Sequence, residues 1–230
     1  MYLRRRLPGH HLLDDSRHLL EIGLGIVGTM AGLVLGLLVG SATASYNAQR
    51  SELLTAASNV ILLDRVLAHY GPHAAGARAT LRASVQQTLD VMWPQEAAGA
   101  PRTLPSAAHA EDVLDKLEEL APANDGQRSL KGEAIGLAIS IAQTRWLMYE
   151  QGGSGLSVPL LVLLIFWFTI TFIGFGIFSP PNPTVFVALA LCALAVSGAI
   201  VITFAMYSPF EGIMQLPSLP LREALAQLGR

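Results

Sequence analysis

Charge is scarce in this chain. Only 14% of its 230 residues are Asp, Glu, Lys or Arg, against about a quarter in an ordinary soluble domain. The shortfall is local. No Asp, Glu, Lys, Arg or His lies between Glu150 and Glu211, or from Ile22 to Gln49. Membrane-embedded ionisable groups usually mark proton relays and ion-coupled pathways, so their absence argues against a proton-driven carrier. The polar side chains inside the later apolar stretches are Thr169, Thr171, Ser197 and Thr203.

Other absences narrow the class further. Cys192 is the one cysteine, which excludes an intrachain disulfide. The net charge of -2 divides into +1 over residues 1–21, -3 over 46–155 and zero over 206–230. No block is basic enough to bind nucleic acid. No segment alternates in the manner of a strand, and no internal repeat is visible. Catalytic groupings are missing as well. His69 and His73 are four apart, but Gly71-Pro72 breaks the helix that would align them on a metal. The acids Glu111, Asp112, Asp115, Glu118 and Glu119 alternate with Val113, Leu114 and Leu117, and read as the wet face of a helix rather than a calcium loop. Gly23-x-Gly25-x-x-Gly28 matches a dinucleotide fingerprint in letters alone, because no strand precedes it and no acid follows at the required distance. The expectation is a protein that is not an enzyme and needs no metal or cofactor.

What remains is apolar: 52% of the chain is hydrophobic. Three charge-free stretches, 22–46, 156–178 and 184–207, are each long enough to cross about 30 Å of hydrocarbon as a helix. Arg4 to Arg6, an apolar run and Ala42-Thr43-Ala44 imitate a secretory leader, but the run exceeds a signal core and reads as a retained span. Ser179-Pro180-Pro181-Asn182-Pro183 forces a tight hairpin between the last two spans. Residues 1–21 form a polar leader. Residues 47–155 form a helical extramembrane domain, with apolar faces at Leu53, Ala57, Val60, Ile61 and Leu67, at Leu81, Val85, Leu89 and Met92, and at Val113, Leu114, Leu117 and Leu120. A fourth helix, capped by Asn124 or Asp125, runs towards Trp146. The expected fold is an all-α integral membrane protein with three transmembrane helices, one single and two in a C-terminal hairpin. Three crossings put the helical domain and the C-terminus on one side, and the N-terminus and the hairpin loop on the other. Arginines are too evenly divided to set the orientation.

Two patterns lie within the spans. Gly28, Gly32, Gly36 and Gly40 make a stripe without side chains, suited to close helix packing. Leu164, Phe168 and Phe172 share one face of the second span, with Trp167 beside them, and are candidates for a hydrophobic constriction.

Residues 208–230 leave the third span without turning polar. Pro209 and Gly212 bend the chain, Phe210, Ile213, Met214 and Leu216 need apolar cover, and Ser218 can cap a tail helix with Pro220 in its first turn. Leu221, Leu225 and Leu228 give that helix an apolar face. The reading is a structural elbow that returns the tail to the body of the protein.

This region resembles the bacterial bestrophin-like domain proteins. The aromatic hairpin with "SPPNP" carries part of the likeness. So do the Pro-Phe-x-Gly segment at Pro209, Phe210 and Gly212, and the Pro-Leu-Arg helix start at Pro220, Leu221 and Arg222. "SYNAQRSELLTAASNVILLDRVL", after the first span, adds to it. The resemblance implies a multi-pass protein of the bacterial inner membrane and a homo-oligomer that conducts small ions, anions among them. Its partners would be membrane lipid and further copies of itself. The chain departs from true bestrophins in having three spans rather than four and no acidic calcium clasp. Two other readings stand beside the channel: a non-conducting scaffold or sensor whose helical domain binds a partner, and a subunit of an energy-transducing membrane complex.

Overall fold

The computed structural model describes residues 14–93, 108–151, 158–179, 182–207, 210 and 214–229. Among these, every regular element is helical. Helix α1 spans Asp14–Tyr70, α2 Ala75–Met92, α3 Ala108–Glu118 and α4 Asp125–Gln151. Helices α5, Val158–Phe178, and α6, Pro183–Met206, follow, and α7 is Leu219–Gln227. Three of them, α1, α5 and α6, are long and apolar enough to cross a membrane. The chain divides into two units. A span unit contains Met1–Tyr46 and Gly155–Tyr207, and a helical unit contains Asn47–Ser154 and Ser208–Arg230.

The largest departure from the sequence reading is α1. The polar leader and the first span do not end in separate elements: one helix of 57 residues starts at Asp14 and continues past Tyr46. Composition changes at Asn47, but no Gly or Pro interrupts residues 41–70. A polar residue ends a span without ending a helix. The stop comes at Gly71, whose φ of 110° is open to glycine and costly for other residues. Pro72 then starts a single 3-10 turn, Pro72–Ala74, that leads into α2.

Helices α2 and α3 bury most of the apolar positions their periodicity marks, Met92 and Leu114 being half-buried. Leu81, Val85 and Leu89 of α2, and Val113 and Leu117 of α3, are buried. So are Ala134 and Ala138 of α4, while Trp146 is exposed. Asn124, not Asp125, caps α4: its Oδ1 accepts from the Gln127 amide at 2.8 Å. Asp112, Asp115, Glu118 and Glu119 are exposed as a solvated face. Lys131 ties α4 to the end of α3, donating to the Glu118 and Leu120 carbonyls at 2.7 and 2.8 Å. These are the C-terminal carbonyls a helix cannot satisfy by itself.

The start of α6 also follows its residues. Asn182 Oδ1 accepts from the Thr184 amide at 3.1 Å, with Pro183 in the first turn. At α7 the capping expectation is corrected. Ser218 occupies the cap position but makes no side-chain bond to a helix amide. Its backbone is helical there, and its Oγ accepts from Arg222 Nε at 3.1 Å.

Candidate functional site

Within the span unit α1 and α5 approach closely at two points. A Cβ added to Gly174 would lie 2.3 Å from a Leu24 methyl, so the missing side chain is what lets Leu24 seat against α5. One turn earlier on α5, Thr171 Cγ2 stands 3.5 Å from where a Cβ of Gly28 would be. Ala31, Ala42, Leu164, Thr171 and Thr203 are buried in this unit. Thr43 Oγ1 bonds to the Val39 carbonyl at 2.8 Å and reaches Met206 Sδ at 3.7 Å, linking α1 to the end of α6. Substituting Gly174 by Val should cost about 1–3 kcal/mol through overpacking, read as a lower melting temperature. The same change at Gly176, where a Cβ meets nothing within 4 Å, should be close to neutral. Equal losses at both positions would overturn this account of the α1–α5 seam.

The stripe predicted from glycine spacing divides. Gly28 faces α5, but a Cβ at Gly32, Gly36 or Gly40 would touch nothing within 4 Å. Among the described residues of the span unit, nothing covers that face within this distance. Of the three residues proposed for a constriction, Leu164 is fully buried and is therefore packed inside the unit. Phe168 and Phe172 are half-buried, with part of each ring accessible.

Four threonine hydroxyls in the spans are occupied. Thr29, Thr169, Thr171 and Thr203 each donate to the carbonyl four residues back, at 2.7–2.9 Å. Such back-bonding satisfies a hydroxyl where water is absent. The described residues contain no grouping of His, Cys, Asp and Glu suited to a metal ion. His69 Nδ1 instead lies 2.8 Å from the Arg65 carbonyl.

The helical unit holds a polar clamp that spacing did not reveal. Arg78 of α2 grips Asp64 of α1 with two bonds, Nε to Oδ1 at 2.7 Å and Nη2 to Oδ2 at 2.8 Å. The Gly229 amide donates to the same Oδ2 at 3.2 Å, and Arg82 Nη1 donates to the Leu228 carbonyl at 2.8 Å. Gly229 takes a φ of 88°, which presents its amide to the carboxylate. Burial pushes the Asp64 carboxyl upward. The hydrogen bonds from Arg78 and Gly229 and the charges of Arg78 and Arg65 outweigh it, leaving the group below its ordinary value. The bond to Asp64 raises Arg78 in turn.

The elbow residues fall into two sets. Pro209 and Gly212 lie outside the described residues. Phe210 packs edge-on against Trp93, with centroids 5.8 Å apart and planes at 79°. Trp93 Nε1 donates to the Leu216 carbonyl at 2.8 Å, and Leu216 is fully buried. Pro220 stands in the first turn of α7, and Leu221, Ala224 and Leu228 are buried. The segment after the third span is thus fastened to the helical unit, with Trp93 as its anchor.

Family profiles decide the kinship. The Bestrophin-like domain matches residues 1–221. The chain belongs to the bestrophin-like family. Neither the curated proteins nor the solved structures contain a match. The family match includes both Trp93 and Phe210, and reaches Leu221 in the first turn of α7. It leaves out Leu228 and Gly229, the two tail groups held by the polar clamp.

Proposed function

We propose that this bestrophin-like protein is a homo-oligomeric passive ion channel of the bacterial inner membrane that crosses the bilayer several times and admits small anions. The observation that carries the reading is the bare face of α1. A Cβ at Gly32, Gly36 or Gly40 would meet nothing within 4 Å among the described residues, and small-residue faces gain most when another helix approaches closely. A second copy of the chain is the partner that fits. Two further features support passive conduction over coupled transport. The spans contain no Asp, Glu, Lys, Arg or His, and Phe168 and Phe172 keep accessible ring surface of the kind that narrows a pore by excluding water.

The test is halide efflux from liposomes containing the purified protein, followed over a broad range of pH and calcium. Flux is expected above that of protein-free vesicles, with a several-fold change in Phe168→Ala or Phe172→Ala. Gly36→Leu should shift the detergent-solubilised protein towards monomers. Absence of flux under all conditions would sink the channel reading and favour the scaffold. Flux untouched by either Phe substitution would remove the constriction from this face.

A further inference from the structure

The outer surface of the helical unit is not uniform. Helix α3 turns Asp112, Asp115, Lys116, Glu118 and Glu119 outward, as a water-facing helix ordinarily does. Helices α1 and α4 do the opposite. Leu54 and Leu62 of α1, and Ile139, Trp146 and Leu147 of α4, are 43–63% exposed among the described residues. Neither helix carries Asp, Glu, Lys, Arg or His along this face, from Leu53 to Leu63 or from Ala134 to Thr144. Apolar surface gathered in this way on an extramembrane domain marks a contact.

Two hydrogen bonds fix how the pair of helices lies. Asn59 Nδ2 donates to Ser140 Oγ at 3.1 Å, and Gln127 Nε2 donates to the Tyr70 carbonyl at 3.0 Å. Tyr70 follows Asn59 while Gln127 precedes Ser140, so α1 and α4 are antiparallel neighbours. Helical rise then puts Leu54 and Leu147 within about 3 Å of one level, on one side of the Asn59–Ser140 bond. Arg65 and Glu133 lie on the other side, about 9 and about 10 Å from it. Both are exposed. Arg65 acts on Asp64 through its charge. Neither Arg65 nor Glu133 forms an ion pair or a side-chain hydrogen bond among the described residues.

We propose that this face is a two-fold contact between copies of the chain, with α1 of each helical unit against α4 of its partner. Copies that share a bilayer point the same way. A two-fold axis parallel to α1 and α4 then lays α1 on α4 and leaves every level unchanged. Leu54 meets Leu147, and Arg65 of each copy meets Glu133 of the other. Opposite charges at matching levels make the face complementary to itself, which selects a second copy over lipid or a foreign protein. The inference rests on the self-association in the proposed function, not on conduction.

Disulfide trapping tests it on the full-length protein in membranes. In a Cys192→Ala background, Leu54→Cys is placed in one tagged chain and Leu147→Cys in a co-expressed chain with another tag. Neither chain can close a disulfide within itself, so the expected product of oxidation is a mixed-tag dimer. Asp115→Cys, on the wet face of α3, should give several-fold less with the same Leu147→Cys partner. Arg65→Glu in both chains should lower the yield a few-fold, in keeping with exposed ion pairs, and adding Glu133→Arg should restore it. A purely structural role of Arg65 beside Asp64 would not give that recovery. Loss without recovery would overturn the two-fold register, and equal trapping with Asp115→Cys would overturn the face. If trapping fails while oligomers persist in detergent, self-association stands and this contact falls. If trapping fails and the protein is monomeric, both fall. Should Arg65→Glu not fold, trapping in chains with native Arg65 and Glu133 decides alone.

Discussion

Replacing Trp93 by alanine is expected to destabilise the helical unit by about 3–5 kcal/mol, the usual cost of emptying a buried aromatic site. The side chain is 3% exposed, so almost all of its apolar surface is at stake. Two further losses are specific to this site. The Leu216 carbonyl gives up its 2.8 Å bond from Nε1, and an unpaired buried acceptor costs about 1–3 kcal/mol. Phe210 loses the ring it meets edge-on, a contact worth about 0.5–1.5 kcal/mol beyond area. Overlap among these costs keeps the total within the stated range. Hydrogen exchange resolves the consequence by position. Amides of residues 214–229 should lose protection first, because Trp93 fastens the segment that leads to α7. Trp93→Phe retains most of the packing and should recover more than half of the loss. A change below about 1 kcal/mol in Trp93→Ala, well short of the core range, would remove the anchor role.

The polar clamp should give the second large effect. Asp64→Ala leaves Arg78 facing a buried position without its carboxylate and frees the Gly229 amide. Breaking a buried pair from one side costs about 3–5 kcal/mol. Arg78 retains 24% side-chain exposure, so water recovers part of this and the expected loss is about 2–3 kcal/mol. The pH dependence follows from linkage. The folded carboxyl lies below its ordinary value of 3.8. Its contribution is therefore fully present above the ordinary carboxylate range, and is lost as the pH falls from there through the lower folded value. Thermal melts of the protein and of Asp64→Asn should differ most near pH 6–7 and converge under strong acid. A gap that widens on acidification would contradict the assignment.

The parts that were legible in the sequence were those decided locally. Charge-free runs of spanning length gave three apolar helices, and the 3.6-residue rhythm of Leu81, Val85 and Leu89 gave the buried face of α2. Asn124 acts as a cap because short polar side chains accept helix amides where the chain starts a helix, and Asn182, a cap the sequence reading does not single out, does the same. The need of Phe210 and Leu216 for apolar cover was legible too, and Trp93 meets both. The unbroken α1 was not. Hydropathy changes at Asn47, and that change marks where the surroundings become polar rather than where the backbone turns. Gly71, the actual stop, supplied the conformational signal.

Long-range pairings were also hidden. Asp64 and Arg78 are separated by a helix end and a 3-10 turn, so no helical spacing joins them. Gly174 looks no different from Gly176 in sequence, and only the position of Leu24 gives one of them a packing role. Leu164, Phe168 and Phe172 share a helical stripe, yet Leu164 alone is fully buried. Periodicity groups side chains on a face without saying how deeply a neighbour covers it.

The threonines of the spans have a consequence for anything that passes alongside them. Thr29, Thr169, Thr171 and Thr203 have each spent their one hydroxyl proton on a carbonyl of their own helix. What they still offer is lone pairs, which repel an anion. If the protein conducts as proposed, a halide passing these four threonines would find no hydroxyl proton on them to replace the water it leaves behind. Its barrier is then the work of dehydration, which is smallest for large and diffuse ions. Selectivity in such a passage would rank ions by how loosely they hold water, not by how well the protein grips them.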